Sequence, residues 1–220
     1  MLVLVPHHMI WSAASLVPRL MLTPLGRTIR LDRAMANAHS ALFAIPILRE
    51  ICIALNFRAA SRAVGSAGVS SIAVFPGGGL EMQRQRLGQD TLVLRRGFVS
   101  LAIESGMPLV PIYLPNETAV YEPLPHFARF REWVYWATKA GVPLWTGWRG
   151  VPFCPLPVPG KYLCIIGEPI LVGAARKPST EEVDVVLAAF ADGIRVLHAK
   201  YSMLAGRSAD HRLVIDRSRL

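Results

Sequence analysis

His7 and His8 follow the aliphatic run Leu2 to Val5 and the proline Pro6. Loops that leave a strand commonly carry reactive groups, and an imidazole titrates near neutral pH, so His7 is the strongest candidate for a general base. Taken alone, a histidine in such a position is more often structural. Gly77-Gly78-Gly79 follows the β-rich run Ser70 to Phe75 and Pro76. Consecutive glycines let backbone amides approach a substrate closely, either as donors to an oxyanion or as a phosphate cradle. The run fits neither GxxxxGK nor GxGxxG, and taken alone it reads as a tight turn. Glu81 and Glu117 each come shortly after a strand, where a carboxylate either orients a histidine or is simply solvated.

Positioning these groups takes a scaffold, and the hydrophobic pattern supplies one. Leu2 to Val5, Ser70 to Phe75, Leu109 to Leu114 and Leu163 to Ile166 read as buried strands. Pro111 places the third of them at a sheet edge or makes it a strand end. Helical spacing runs through Met9 to Leu22, Pro46 to Leu55 and Leu94 to Glu104. Ser179 begins the clearest helix, an N-cap with Glu182 three residues on, ahead of the stripe Val183, Val186, Leu187, Phe190, Ile194, Leu197 and Tyr201. Strands alternating with helices predict an α/β fold with a central, largely parallel or mixed sheet flanked by helices. One domain spans residues 1–205, and 206–220 reads as a loosely ordered polar tail.

Composition narrows the partners. Of 220 residues 52% are hydrophobic and only 18% charged, which excludes a disordered chain and leaves apolar surface to meet lipid. The net charge of +9 requires anionic partners, but the arginines are scattered rather than gathered on a stripe, which argues for a membrane surface or a phosphate-bearing substrate and against nucleic acid. Cys52, Cys154 and Cys164 have no CxxC spacing and read as small buried residues in a reducing, cytosol-facing compartment. Residues 121–160 hold four of the five tryptophans among Arg129, Arg131, Lys139 and Arg149, a composition that suits either a membrane-interface insertion or ordinary core aromatics. The apolar opening Met1 to Pro18 contains Pro6, His7 and His8 and is a poor spanning segment.

In order along the chain, Pro6-His7, Ile45-Pro46 with Arg49-Glu50 and Ser61-Arg62, Gly78-Gly79-Leu80-Glu81-Met82, Arg95-Arg96-Gly97-Phe98-Val99, and Leu109-Val110-Pro111 with Glu117 and Tyr121 resemble the type 2 diacylglycerol acyltransferase family. That family also includes monoacylglycerol and wax-alcohol acyltransferases. Gly167-Glu168-Pro169-Ile170 and Pro178 to Glu182 match its C-terminal block, and RRGFVSLA joined to GMPLVPIY is the most specific signal. The resemblance implies a glycerolipid-acyltransferase-like fold, monotopic membrane association, and transfer of a fatty acyl group from acyl-CoA to the hydroxyl of diacylglycerol, a monoacylglycerol or a long-chain alcohol. It implies residence on the cytosolic face of the endoplasmic reticulum membrane. It also implies His7 as the base, Glu81 or Glu117 as its orienting carboxylate, Pro6 and Gly77 to Gly79 around the reacting carbonyl, and the Arg95, Arg96, Gly97, Phe98 block at the substrate, its arginines on coenzyme A phosphates. Acyl-CoA enters as co-substrate, with no metal and no permanently bound cofactor required. Oligomeric state stays open.

The departures from the pattern are specific. The family's His-Pro-His-Gly is Val5-Pro6-His7-His8 here, and its Phe-Gly-Glu-Asn is Pro115-Asn116-Glu117-Thr118. Its His-x-x-Tyr becomes Leu187 and Phe190, and its N-terminal hydrophobic hairpin has no counterpart, so the chain reads as N-terminally truncated. A catalytically inactive lipid-binding member is therefore the competing expectation.

Overall fold

The computed structural model of the chain describes residues 2–6, 34–38, 41–44, 46–54, 57–59, 71–86, 88–115, 122–138, 144–152, 158–159, 163–205 and 211–216. Its strands in chain order are β1 (Leu2–Pro6), β2 (Ala34–Ala38), β3 (Phe57–Ala59), β4 (Ser71–Ala73), β5 (Gln89–Val93), β6 (Leu109–Tyr113), β7 (Glu122–Pro123), β8 (Trp145–Thr146), β9 (Ile165–Ile166) and β10 (Arg212–Asp216). Six form a mixed sheet in the order β3-β2-β4-β1-β6-β9, parallel throughout except for the antiparallel edge strand β9. β5 and β10 pair in parallel, and β7 and β8 pair antiparallel. The helices are α1 (Ala41–Ala44), α2 (Pro46–Ala54), α3 (Gly78–Arg84), α4 (Arg96–Ser105), α5 (Ala128–Thr138) and α6 (Thr180–Tyr201). The mixed α/β architecture is the one the sequence predicts. The helix expected over Met9 to Leu22 lies outside the described residues.

The core sits where α4 and α6 meet β5 and β6. Val99, Ala102 and Ile103 on α4 face Leu187, Phe190 and Ile194 on α6, with Leu92 and Leu109 completing the cluster. Each large side chain buried there contributes about 1.5–3 kcal/mol. Phe98 meets Phe190 edge to face at 5.2 Å, an arrangement that matches the positive ring edge to the negative face. α6 starts where its sequence says: the Ser179 hydroxyl accepts from the Glu182 N–H at 3.2 Å, and the Glu182 carboxylate accepts from the Ser179 N–H at 2.9 Å. α4 stops at Gly106, whose φ of +62° and tight approach to the Ala175 backbone exclude a side chain.

Two sequence expectations are corrected. Pro111 lies inside β6, which is flanked by β1 and β9, and not at an edge or a strand end. The Pro111 carbonyl accepts the Gly167 N–H at 2.8 Å. A strand residue points its N–H and C=O to the same side, so the missing proline N–H falls on the short β9 side and no bond to β1 is lost. The second correction concerns the polar tail: Arg212–Asp216 form β10, paired along the whole of β5. Leu213 and Ile215 alternate onto the core, and the Asp216 carbonyl accepts the Leu94 N–H at 3.0 Å, so period-two patterning outweighs the flanking charges.

Candidate functional site

β1, β4 and β6 run parallel, so their carboxyl ends open on one edge of the sheet. Leu4 pairs with Ala73 and Pro6 with Ile112. That edge therefore gathers three chain exits: β1 leaves at Pro6, immediately before His7; β4 leads through Val74, Phe75 and Pro76 into Gly77; and β6 leads through Leu114 to Pro115, two residues before Glu117. Ligands of open α/β sheets characteristically sit outside the carboxyl ends of strands. His7 and Glu117 themselves lie outside the described residues.

The glycine run turns the chain from β4 into α3. The Gly78 N–H donates to the Phe75 carbonyl at 3.2 Å, and Gly78 has a φ of +53°, a conformation that favours glycine. Glu81, in the first turn of α3, is fully buried, and its Oε2 accepts the Val93 N–H at 2.8 Å. Just past the end of α3 the Gln85 amide Nε2 donates to the Thr91 carbonyl at 2.8 Å, and Arg84, the last residue of α3, forms an ion pair with Asp216. Glu81 thus belongs to a lock that holds α3 against β5 and β10. A Cβ added to Gly77 would overlap the Glu81 side chain. Gly77→Ala is accordingly expected to displace Glu81 and destabilise the protein by about 1–3 kcal/mol, the usual range for overpacking. Chemical denaturation checks this, and an unchanged midpoint would contradict the packing described.

The arginine block divides. Arg95 is exposed, with Nη2 donating to the Tyr135 hydroxyl at 3.2 Å. Arg96 makes a two-pronged pair with Asp184, at 2.8 Å from Nε and 2.9 Å from Nη2, tying the start of α4 to α6. That pair holds the Asp184 carboxyl below the usual carboxylate range. Gly97 is exposed with open space where a side chain would project. Phe98 is core. Of this block Arg95 and Gly97 are exposed, Arg96 is half-exposed but committed to Asp184, and Phe98 serves the packing of α4 on α6.

The aromatic segment also separates into two faces. Tyr135 joins Leu80 and Val93 in a buried cluster, so α5 packs on α3 and the end of β5. Arg131, one of the cations among these aromatics, is 5% exposed, and burial depresses its pKa. Phe127, Phe130, Trp133 and Trp136 point outward, as does Trp148, over which the Arg149 guanidinium lies at 4.5 Å. Cys52 is buried and Cys164 half-buried; desolvation pushes the Cys164 thiol up to about 12, so it is protonated and unreactive. Among the described residues no helix is long and apolar enough to cross a membrane. A further buried polar group, Asp90 with Tyr113, His198 and His211, has no signature in the sequence spacing.

The sequence model of the diacylglycerol acyltransferase family matches residues 4–216, from within β1 to the last residue of β10. The chain belongs to this family. Diacylglycerol O-acyltransferase 2 of Dictyostelium discoideum is 27% identical over 174 residues, which cover 72% of this chain and 52% of that protein. Diacylglycerol O-acyltransferase 2B of Umbelopsis ramanniana is 29% identical over 72% of this chain and 51% of its own length. Human acyl-CoA wax alcohol acyltransferase 2 is 29% identical over 80% of this chain and 57% of its own. The chain thus spans about half the length of the curated relatives it matches. No solved structure matches it. The family match includes all three strand exits described above and also β10, which places the C-terminal strand within the sequence common to this family.

Proposed function

We propose that the protein transfers a fatty acyl group from acyl-CoA to the free hydroxyl of diacylglycerol, giving triacylglycerol. The observation that carries this reading is the family match across residues 4–216, and it is supported by the opening of the carboxyl ends of β1, β4 and β6 on one edge of the sheet. In the reaction proposed, His7 takes the proton of the acceptor hydroxyl and the hydroxyl oxygen forms a bond to the thioester carbonyl carbon. The carbon–sulfur bond then breaks, and coenzyme A leaves as a thiol after taking up that proton. Of the glycine run, whose Gly78 N–H is engaged by the Phe75 carbonyl, the backbone amides of Gly77 and Gly79 are the proposed donors to the transient oxyanion, and Glu117 is the proposed orienting carboxylate. Glu81 holds α3, the helix that follows the glycine run, against β5 through its bond to Val93. Arg95 is the better placed of the two arginines to meet the anionic co-substrate.

The outward rings of Phe130, Trp133 and Trp136 recur every third residue on α5, and with Phe127 and Trp148 they support a role for this surface at the headgroup level of a bilayer. Localisation at the cytosolic face of the endoplasmic reticulum is part of the same proposal. The wax-alcohol relative supports a second acceptor class, long-chain alcohols, because the acceptor is chosen by pocket shape rather than by the reacting groups.

The test is incubation of membranes carrying the protein with labelled acyl-CoA and, in parallel, diacylglycerol, monoacylglycerol or a long-chain alcohol. Labelled triacylglycerol is the expected product. Labelled wax ester instead would move the assignment to the alcohol. Liposome binding without turnover on any acceptor would replace the enzymatic reading with that of a lipid-binding member, to which the altered Val5-Pro6-His7-His8 block points.

A further inference from the structure

Four polar side chains from distant parts of the sequence converge beside the core: Asp90 in β5, Tyr113 at the end of β6, His198 near the end of α6, and His211 just ahead of β10. The Tyr113 hydroxyl donates to Asp90 Oδ2 at 2.7 Å, and His211 Nε2 stands 3.1 Å from the same oxygen. The His198 and His211 rings are stacked with centroids 6.0 Å apart, and the Tyr113 ring meets His198 edge-on at 5.7 Å. Asp90 is 2% exposed and Tyr113 is fully buried. One ligand atom from each of Asp90, His198 and His211 lies within 4.8 Å of the other two.

We propose that Asp90, His198 and His211 form a binding site for a divalent transition-metal ion of the zinc type. The donor set supports this first. Two imidazoles and one carboxylate are borderline ligands that zinc accepts at about 2.0–2.2 Å, and small side-chain rotations bring three atoms already this close onto one ion. Geometry around the carboxylate is the second. A metal-bound carboxylate is usually held by an outer hydrogen bond, and the Tyr113 hydroxyl supplies one to Asp90. Electrostatics is the third, because a bound cation compensates a carboxylate drawn out of water, and Asp90 is 2% exposed. The ion would tie β5, the end of α6 and the entry to β10 together, so binding it would stabilise the C-terminal strand on the core. The site does not depend on the acyltransferase reading, and its test involves no acyl transfer.

The test is elemental analysis of the purified full chain in detergent, with any affinity tag removed, followed by chelation and readdition of zinc chloride while thermal unfolding is recorded. About one equivalent of zinc is expected, together with a melting temperature that falls on chelation and recovers with zinc. Asp90→Asn and His198→Ala should each lower the zinc content at least tenfold, whereas His126→Ala, at an exposed histidine, should leave it unchanged. Wild-type protein that neither contains nor takes up zinc overturns the proposal, as does Asp90→Asn protein that binds as much as wild type. Should the variants fail to fold, cobalt-loaded wild type decides: an intense visible spectrum of a four-coordinate site, displaced by zinc, supports the proposal, and the pale six-coordinate spectrum of surface-bound cobalt refutes it.

Discussion

Replacing His7 with alanine is expected to lower acyl transfer by about 10²–10⁴-fold, the usual contribution of a general base. The magnitude follows from the role proposed. Without an acceptor for its proton, the alcohol attacks as a neutral and weak nucleophile, while the glycine-run amides and the bound co-substrate are untouched. The loss should therefore appear in kcat, with the KM for acyl-CoA little changed. His8→Ala, at the neighbouring position where the family pattern has glycine, is the informative companion, since removing a bulky side chain there opens the backbone without removing the proposed base. Initial rates for both variants, normalised to folded protein, make the comparison. His7→Ala retaining half of wild-type activity would end the assignment of His7 as base.

Phe190→Ala is expected to be the most damaging single truncation in the core, destabilising the protein by about 3–5 kcal/mol. Phe190 is 0% exposed and packs edge to face on Phe98, so its loss removes both the burial of a large ring and the aromatic pair, and it leaves a cavity between α4 and α6. That interface also contains the Arg96–Asp184 pair and forms one wall of the packing on β6, so little can collapse into the space. Val185→Ala on the opposite, exposed face of α6 serves as control and should shift stability by no more than about 0.5 kcal/mol. Denaturant midpoints for the two variants provide the measurement. A Phe190→Ala loss below about 1 kcal/mol would contradict the packing described here.

Much of the fold was legible because the relevant signals are local. The capping box at Ser179 and the apolar stripe from Val183 to Tyr201 define α6 from neighbouring residues alone, and the structure buries that same face. The β4-to-glycine passage and the Arg96 to Ser105 helix were readable for the same reason. Less legible were features whose partner lies far away. Pro111 reads as an edge residue until Gly167 is seen beside it, and the stretch after Gly206 reads as a tail until β5 supplies its neighbour. Arg131 is buried, and nothing in the sequence around it reveals that.

The candidate site shows the same division. By itself the sequence determined the residue types that chemistry needs, a histidine after a strand, a glycine run and a paired-arginine block, and with them the family to which the match over residues 4–216 assigns the chain. These are short-range patterns, and residue type with spacing carries them. Only the tertiary structure decided that parallel pairing of β1, β4 and β6 brings three separate chain exits to one edge, that Arg96 pairs with Asp184 while Arg95 stays exposed, and that Asp90, Tyr113, His198 and His211 meet at all. The reason is physical: hydrogen-bonded strand register and core packing act between residues close in space whatever their separation along the chain, and that proximity does not exist until the sheet has formed.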